Sequence, residues 1–242
     1  MTAVVALRSF ITYIVVLAYI AIAGPTGLAI AIVFRWKRIL YAVGHTGVRL
    51  ALGLAGIRYR VVGREHVPDS AAVFCSNHES NVDPAVLFLG LHPQLHILYK
   101  AELHKFPIMG TAFDLGGFVA VERENRERAM ASISRGSDSL RAGNSFLIFP
   151  EGTRSRTGDL LPFKKGGFIM AIQAQAPIVP VAVQGGRAAM RKGSAIVRPV
   201  HVSVRIGEPI PTAGLTLDDR DALIQRVRAA IRTLLDQGPV WT

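Results

Sequence analysis

A histidine and an aspartate stand five positions apart in the run Ser76-Asn77-His78-Glu79-Ser80-Asn81-Val82-Asp83-Pro84. Histidine titrates near neutral pH, so His78 can take a proton from a hydroxyl as a general base. If the chain turns into a helix near Pro84, Asp83 can fold back onto the imidazole. There it would hold one tautomer and stabilise the imidazolium, as the acid does in a Ser-His-Asp triad. Ser76 and Ser80 are close in sequence, but the simpler scheme lets the acceptor's own hydroxyl attack. Taken alone, this spacing also fits an ordinary polar loop. A second cluster, Pro150-Glu151-Gly152-Thr153-Arg154-Ser155, closes the apolar run Phe146-Leu147-Ile148-Phe149. Gly152 lets backbone N–H groups approach an anion, and Arg154 can grip a phosphate with two parallel hydrogen bonds. Arg156, Lys164 and Lys165 come next among the basic residues. Alone, this stretch equally suits a solvated basic turn.

The elements around these clusters alternate. Short β-rich runs fall at 59–62, 72–75, 118–121, 146–149, 178–183 and 201–206. Helical spacing appears between them. Met130, Ile133 and Leu140 recur along 126–140, and 166–175 reads as a shorter helix. Thr216 with Asp219 resembles a capping box, and behind it Leu223, Ile224, Val227, Ile231 and Leu234 form a stripe suited to core packing. This alternation predicts an α/β domain, a mixed sheet flanked by helices, over residues 58–242. Both chemical clusters then sit just past the end of a strand, a usual place to display reactive side chains.

Residues 1–57 differ in kind. No Asp or Glu precedes Glu65, whereas Arg8, Arg35, Lys37, Arg38, Arg49 and Arg58 all do. Phe10 to Phe34 is uncharged, and as one helix it would be about 37 Å long, enough to span a bilayer. Gly24-Pro25 would kink it or divide it into a re-entrant pair. Arg8, an apolar run and Ala21-Ile22-Ala23 together imitate a signal peptide. Apolar sequence continues past that point, however, and ends at Arg35, Lys37 and Arg38. That flank reads as an uncleaved anchor with its basic side in the cytoplasm. Residues 41–57, apolar but carrying His45 and Arg49, suit an interfacial helix. The expectation is an N-terminal membrane-anchoring region of helices over 1–57. A net charge of +11 fits an anionic membrane surface. Nucleic acid is the rival partner, but no helix-turn-helix, zinc-finger or aromatic RNA-binding signature supports it. Cys75 is the single cysteine, which excludes an internal disulfide and a cysteine-based zinc cage. His92, His96, His104 and His201 lack ligand-type spacing and read as structural.

The Asn77-His78 and Asp83 pattern, with Phe149-Pro150-Glu151-Gly152-Thr153-Arg154-Ser155 about seventy residues later, resembles the glycerolipid acyltransferase family, specifically its bacterial 1-acylglycerol-3-phosphate acyltransferases. Two weaker blocks match as well. Gly117-Phe118-Val119-Ala120-Val121-Glu122-Arg123 is similar to the family's second block, which commonly ends Ile-Asp-Arg. Ile178-Val179-Pro180-Val181-Ala182-Val183 is similar to its fourth. The resemblance implies that His78 deprotonates the sn-2 hydroxyl of a lysophospholipid acceptor, which attacks a thioester carbonyl, and that Asp83 orients His78. It places Arg123, Glu151, Gly152, Thr153 and Arg154 at the acceptor, with Lys100 a further phosphate candidate. It implies no metal and no cofactor. The acyl group would come from acyl-CoA or acyl carrier protein, and the product would be phosphatidate made at the inner (cytoplasmic) membrane, with the catalytic domain facing the cytoplasm. The same pair would serve a sibling that acylates glycerol 3-phosphate or another lysolipid. A non-catalytic membrane-binding protein of this fold is the alternative from another class.

Overall fold

The computed structural model describes residues 2–121, 126–190 and 193–241. Two helices come first, α1 (Thr2–Val33) and α2 (Arg38–Ala55). After them come β1 (Arg58–Val62), β2 (Val73–Ser76), α3 (Asp83–Gly90), β3 (Leu95–Lys100), α4 (Pro107–Leu115), β4 (Val119–Val121), α5 (Arg126–Arg141) and β5 (Ser145–Ile148). The chain continues through α6 (Gly166–Ala174), β6 (Ile178–Gln184), α7 (Gly186–Ala189), β7 (His201–Ile206) and α8 (Arg220–Asp236). The described residues form a seven-stranded sheet in the order β1-β7-β6-β2-β5-β3-β4. From β6 to β4 the neighbours run parallel, whereas β7 runs antiparallel to β6 and parallel to β1. The sheet is therefore mixed, as the alternation of elements predicts.

Successive side chains of a strand point to opposite faces, and β2 divides its residues accordingly. Phe74 packs on one face with Leu87, Leu147, Val179 and Val204, beneath α2 and α3. Val73 and Cys75 pack on the other with Phe146, Phe168, Met170 and Ile178, beneath α5, α6 and α8. Parallel strands covered on both faces read as unbroken apolar runs, which explains why β5 and β6 stand out in the sequence. The C-terminal stripe is core: Leu223, Ile224, Val227 and Ile231 are buried. Thr216 and Asp219 do form a capping box, ahead of a 3-10 turn that leads into α8. Helix α3 begins at the turn expected near Pro84. Strand β3 and the helices α4 and α7 leave no comparable mark in the sequence. The two helices are short, and β3 carries a histidine amid its apolar residues.

Helix α1 runs unbroken through Gly24-Pro25. The reversal comes later, at Phe34–Lys37, where Arg35 takes a φ of 54°. Length and composition suffice for α1 to cross a bilayer, yet it lies along the body of the protein. Arg8 Nε donates to the Leu54 carbonyl at 2.7 Å, near the C-terminus of α2. Ser9 Oγ accepts from the Val197 amide at 2.9 Å, and Tyr13 Oη donates to the Ala195 carbonyl at 2.7 Å. Further along, Tyr19 Oη donates to the Val43 carbonyl at 2.8 Å, and Gly24 rests against Ile108 of α4.

His96 of β3 is buried, stacked edge-on against Phe146 with ring centroids 5.2 Å apart. Burial, then the charge of His92, lowers its pKa from 6.5 to about 4. A histidine whose folded pKa is depressed gives up its contribution to stability as pH falls, because the unfolded chain takes the proton first. Urea midpoints should therefore drop between pH 6.5 and about 4, and His96→Phe should flatten that part of the profile. An unchanged slope in the variant would show that other groups govern acid unfolding.

Candidate active site

The parallel strands end along one edge of the sheet, and both chemical clusters lie there, one after β2 and the other after β5. His78 Nδ1 lies 3.0 Å from Asp83 Oδ2. Asp83 begins α3 and is fully buried, and the same oxygen accepts the amides of Glu79 at 2.6 Å and Ser80 at 2.7 Å. The oxygen that accepts these two amides has no proton to give, so in the neutral ring Nδ1 carries the proton and Nε2 keeps its lone pair. The imidazole stacks on Phe149 with centroids 4.2 Å apart, and 15% of its side chain reaches solvent. Asp83 Oδ1 has no hydrogen-bond partner among the described residues and faces Gly186, where a Cβ would stand 2.1 Å from it. Only glycine fits there without displacing the carboxylate.

The two clusters interlock through their backbones. Glu151 is buried, and its Oε1 accepts the His78 amide at 2.9 Å while its Oε2 accepts the Leu161 amide at 2.9 Å. The Ser155 amide donates to the His78 carbonyl at 2.8 Å. Burial pushes the Glu151 carboxyl up, and the two amides hold it down in part. Asn77 ties β2 to β6: its Nδ2 donates to the Val183 carbonyl at 2.9 Å, and its Oδ1 accepts the Val183 amide at 2.7 Å. The loop after Glu151 is held by Arg228 of α8, which donates to the Leu160 carbonyl at 2.8 Å. Arg187 holds it too, donating to the Arg156 carbonyl at 3.0 Å and to the Thr157 carbonyl. Beside this loop, burial and the Asp83 charge push the Glu79 carboxyl up to about 7.

The residues read from the sequence thus separate into groups. His78 and Asp83 meet, and Glu151 meets the backbone of His78. Gly152 takes a φ of +68°, and the end of the Lys164 side chain lies over it, where a Cβ would clash. Thr153 is exposed, and Arg154 is partly exposed with no hydrogen bond or ion pair among the described residues. Lys100 ends β3 and its side chain is outside the described residues, as is the whole of Arg123. The fold adds Phe149, Asn77, Gly186 and Glu79 to the site; Phe149, Asn77 and Glu79 stand in the runs read from the sequence, but none of the four has a role assigned from the sequence. The Gly185-Gly186 pair directly after β6 is the one available signal for a close approach.

A model of the acyltransferase family matches residues 58–184, which is more than half of the chain. The chain belongs to the acyltransferase family. This acyltransferase is 34% identical over 207 residues to the 1-acyl-sn-glycerol-3-phosphate acyltransferase of Limnanthes douglasii, a match covering 83% of this chain and 73% of that one. It is 36% identical over 183 residues to the human 1-acyl-sn-glycerol-3-phosphate acyltransferase alpha, covering 75% and 65% respectively. Its fold matches the crystal structure of the Thermotoga maritima 1-acyl-sn-glycerophosphate acyltransferase PlsC with a TM-score of 0.84 at 23% identity, covering 98% of this chain and 97% of that one.

The backbone contacts of Glu151 give a test of its role in this acyltransferase. Glu151→Ala leaves two part-buried amides without their acceptor, at up to about 1–3 kcal/mol each, and frees the backbone beneath His78. The variant should melt lower and lose kcat, with acceptor KM little changed. Glu151→Gln, which keeps one good acceptor, should recover part of both. A raised acceptor KM at unchanged kcat and melting temperature would instead put Glu151 in contact with the acceptor.

Proposed function

We propose that this acyltransferase moves a fatty acyl group from an acyl-CoA or acyl carrier protein thioester to the sn-2 hydroxyl of 1-acylglycerol 3-phosphate, giving phosphatidate. The observation that carries the reading is the His78–Asp83 pair at 3.0 Å, with Nε2 left as the base, in a family whose similar members bear that activity in their names. The acceptor O–H gives its proton to His78 Nε2 as its oxygen attacks the thioester carbonyl. The tetrahedral intermediate then expels a thiolate, which takes the proton from the imidazolium and leaves as the thiol. No protein nucleophile enters this scheme, and neither a metal nor a cofactor is assigned to it. Residues 1–57 serve as the membrane anchor and 58–242 as the catalytic unit. Arg35, Lys37 and Arg38 set the cytoplasmic face of the inner membrane as the side of action.

Arg154, Gly152 and Thr153, with Arg123 and Lys100, are the proposed phosphate site. The support is the guanidinium of Arg154, partnerless among the described residues, on the loop that also buttresses His78. Arg154→Ala and Arg123→Ala should each raise acceptor KM by about ten-fold or more, the equivalent of a charge-assisted bond of about 1.5–3 kcal/mol. Lysine should rescue only in part, because it cannot make the two-pronged contact. Donor KM should move less. The decisive assay is thiol release from acyl-CoA and acyl carrier protein with a panel of lysolipids in detergent or vesicles. Release that depends on a phosphomonoester acceptor supports the reading. Equal rates with acceptors lacking the terminal phosphate would overturn the acceptor assignment, and arginine variants that damage only donor KM would move these residues to the thioester site.

A further inference from the structure

The segment between β3 and the body of α4 leaves the same sheet edge as His78, because β3 runs parallel to β5 and β5 to β2. It exposes Leu103, Phe106 and Ile108 at 39, 59 and 44%. Single exposed apolar residues are ordinary, but three on one short turn make a patch. Two contacts show what the patch continues. Ile108 Cγ2 lies 3.6 Å from where a Cβ would stand on Gly24, so the patch abuts α1. Near that contact α1 exposes Leu17, Ile20 and Ile22 at 62, 51 and 72%. At the other end of α4, Tyr41 Oη of α2 donates to the Gly116 carbonyl at 2.8 Å. The patch and the helix pair therefore pack against each other, with exposed apolar side chains on both α1 and the 103–108 stretch. The charged residues of α1, α2, the turn between them and 101–115 are mainly basic. Lys105 is exposed within the segment, and Arg35, Lys37 and Arg38 lie at the turn between α1 and α2. The acids are Glu102, which has an interaction of its own, and Asp114, which faces His104 at 3.7 Å.

We propose that residues 101–108 are a second membrane-contacting element, inserting Leu103, Phe106 and Ile108 into a bilayer with anionic headgroups alongside α1. This deepens the reading given under Proposed function and rests on it for the identity of the acceptor, while the surface itself is tested separately.

Cys75 is the single cysteine and is fully buried, so Phe106→Cys in the full chain can be labelled selectively with an environment-sensitive fluorophore. Asp218→Cys, on the α8 side of the sheet, serves as the control. On phosphatidylcholine–phosphatidylglycerol vesicles the label at 106 should shift to the blue and be quenched by nitroxide-bearing lipid, while the label at 218 should do neither. Phe106→Asp should weaken vesicle binding by about ten-fold or more. It should raise KM for vesicle-borne acceptor but leave turnover of a short-chain, monomeric acceptor unchanged. A label at 106 that stays in water on vesicle-bound protein overturns the proposal, as does Phe106→Asp that binds vesicles as tightly as the parent. A buried label in a chain that acylates no lysolipid would leave this surface standing and remove the acceptor reading instead.

Discussion

Replacing His78 with alanine should lower turnover by about 10²–10⁴, the usual range for losing a general base. Folding should survive, because what holds this stretch is mostly not the imidazole. Asp83 Oδ2 still accepts the amides of Glu79 and Ser80. The residue-78 backbone still donates to Glu151 and accepts from Ser155. What is lost is the stacking on Phe149 and the ring nitrogen proposed as the base. Far-ultraviolet melting and vesicle co-sedimentation should match the parent, while single-turnover transfer from a thioester to lysophosphatidate collapses. Turnover close to that of the parent would remove the general-base mechanism, whatever the family resemblance implies.

Asp83→Asn should cost about 10²–10⁴ in kcat for a different reason. The asparagine carbonyl can take the place of Oδ2 and keep all three N–H partners, since turning the amide the other way would point donors at donors. The NH₂ group then occupies the site of Oδ1, which is buried against Gly186 without a partner among the described residues. Shape survives with one orphaned donor, a modest stability loss of about 1–3 kcal/mol. The negative charge that stabilises the imidazolium is gone. The chemical step should therefore fall while acceptor KM stays near its parent value. If kcat were unchanged, Asp83 would be no more than a brace for the Glu79 and Ser80 amides, and the histidine would have to work without an acid behind it.

The order of strands and helices is largely legible in the sequence because parallel strands covered on both faces must be apolar without interruption, and amphipathic helices must repeat at their own period. β5, β6 and the stripe of α8 announce themselves in this way. β3 does not, because His96 breaks the apolar run, and only packing against Phe146 and Phe118 makes that histidine a core residue. At the site, His78 and Asp83 are legible because they are near in sequence and the turn into α3 is local. The apolar character of α1 is equally plain, since composition alone reports it.

Tertiary structure decided the rest. Glu151 lies 73 positions from His78, and no local pattern says that its carboxylate serves the His78 amide. That role exists only once β2 and β5 are paired side by side. Gly186 meets Asp83 only because β6 flanks β2 on its other side. The path of α1 along the body of the protein, with Ser9 bonded to Val197 and Gly24 against Ile108, depends on contacts across most of the chain. Periodicity, composition and short motifs record what a residue does among its neighbours in sequence. Which distant backbone amide a buried carboxylate must satisfy is set by the sheet order, and that order exists only in the folded chain.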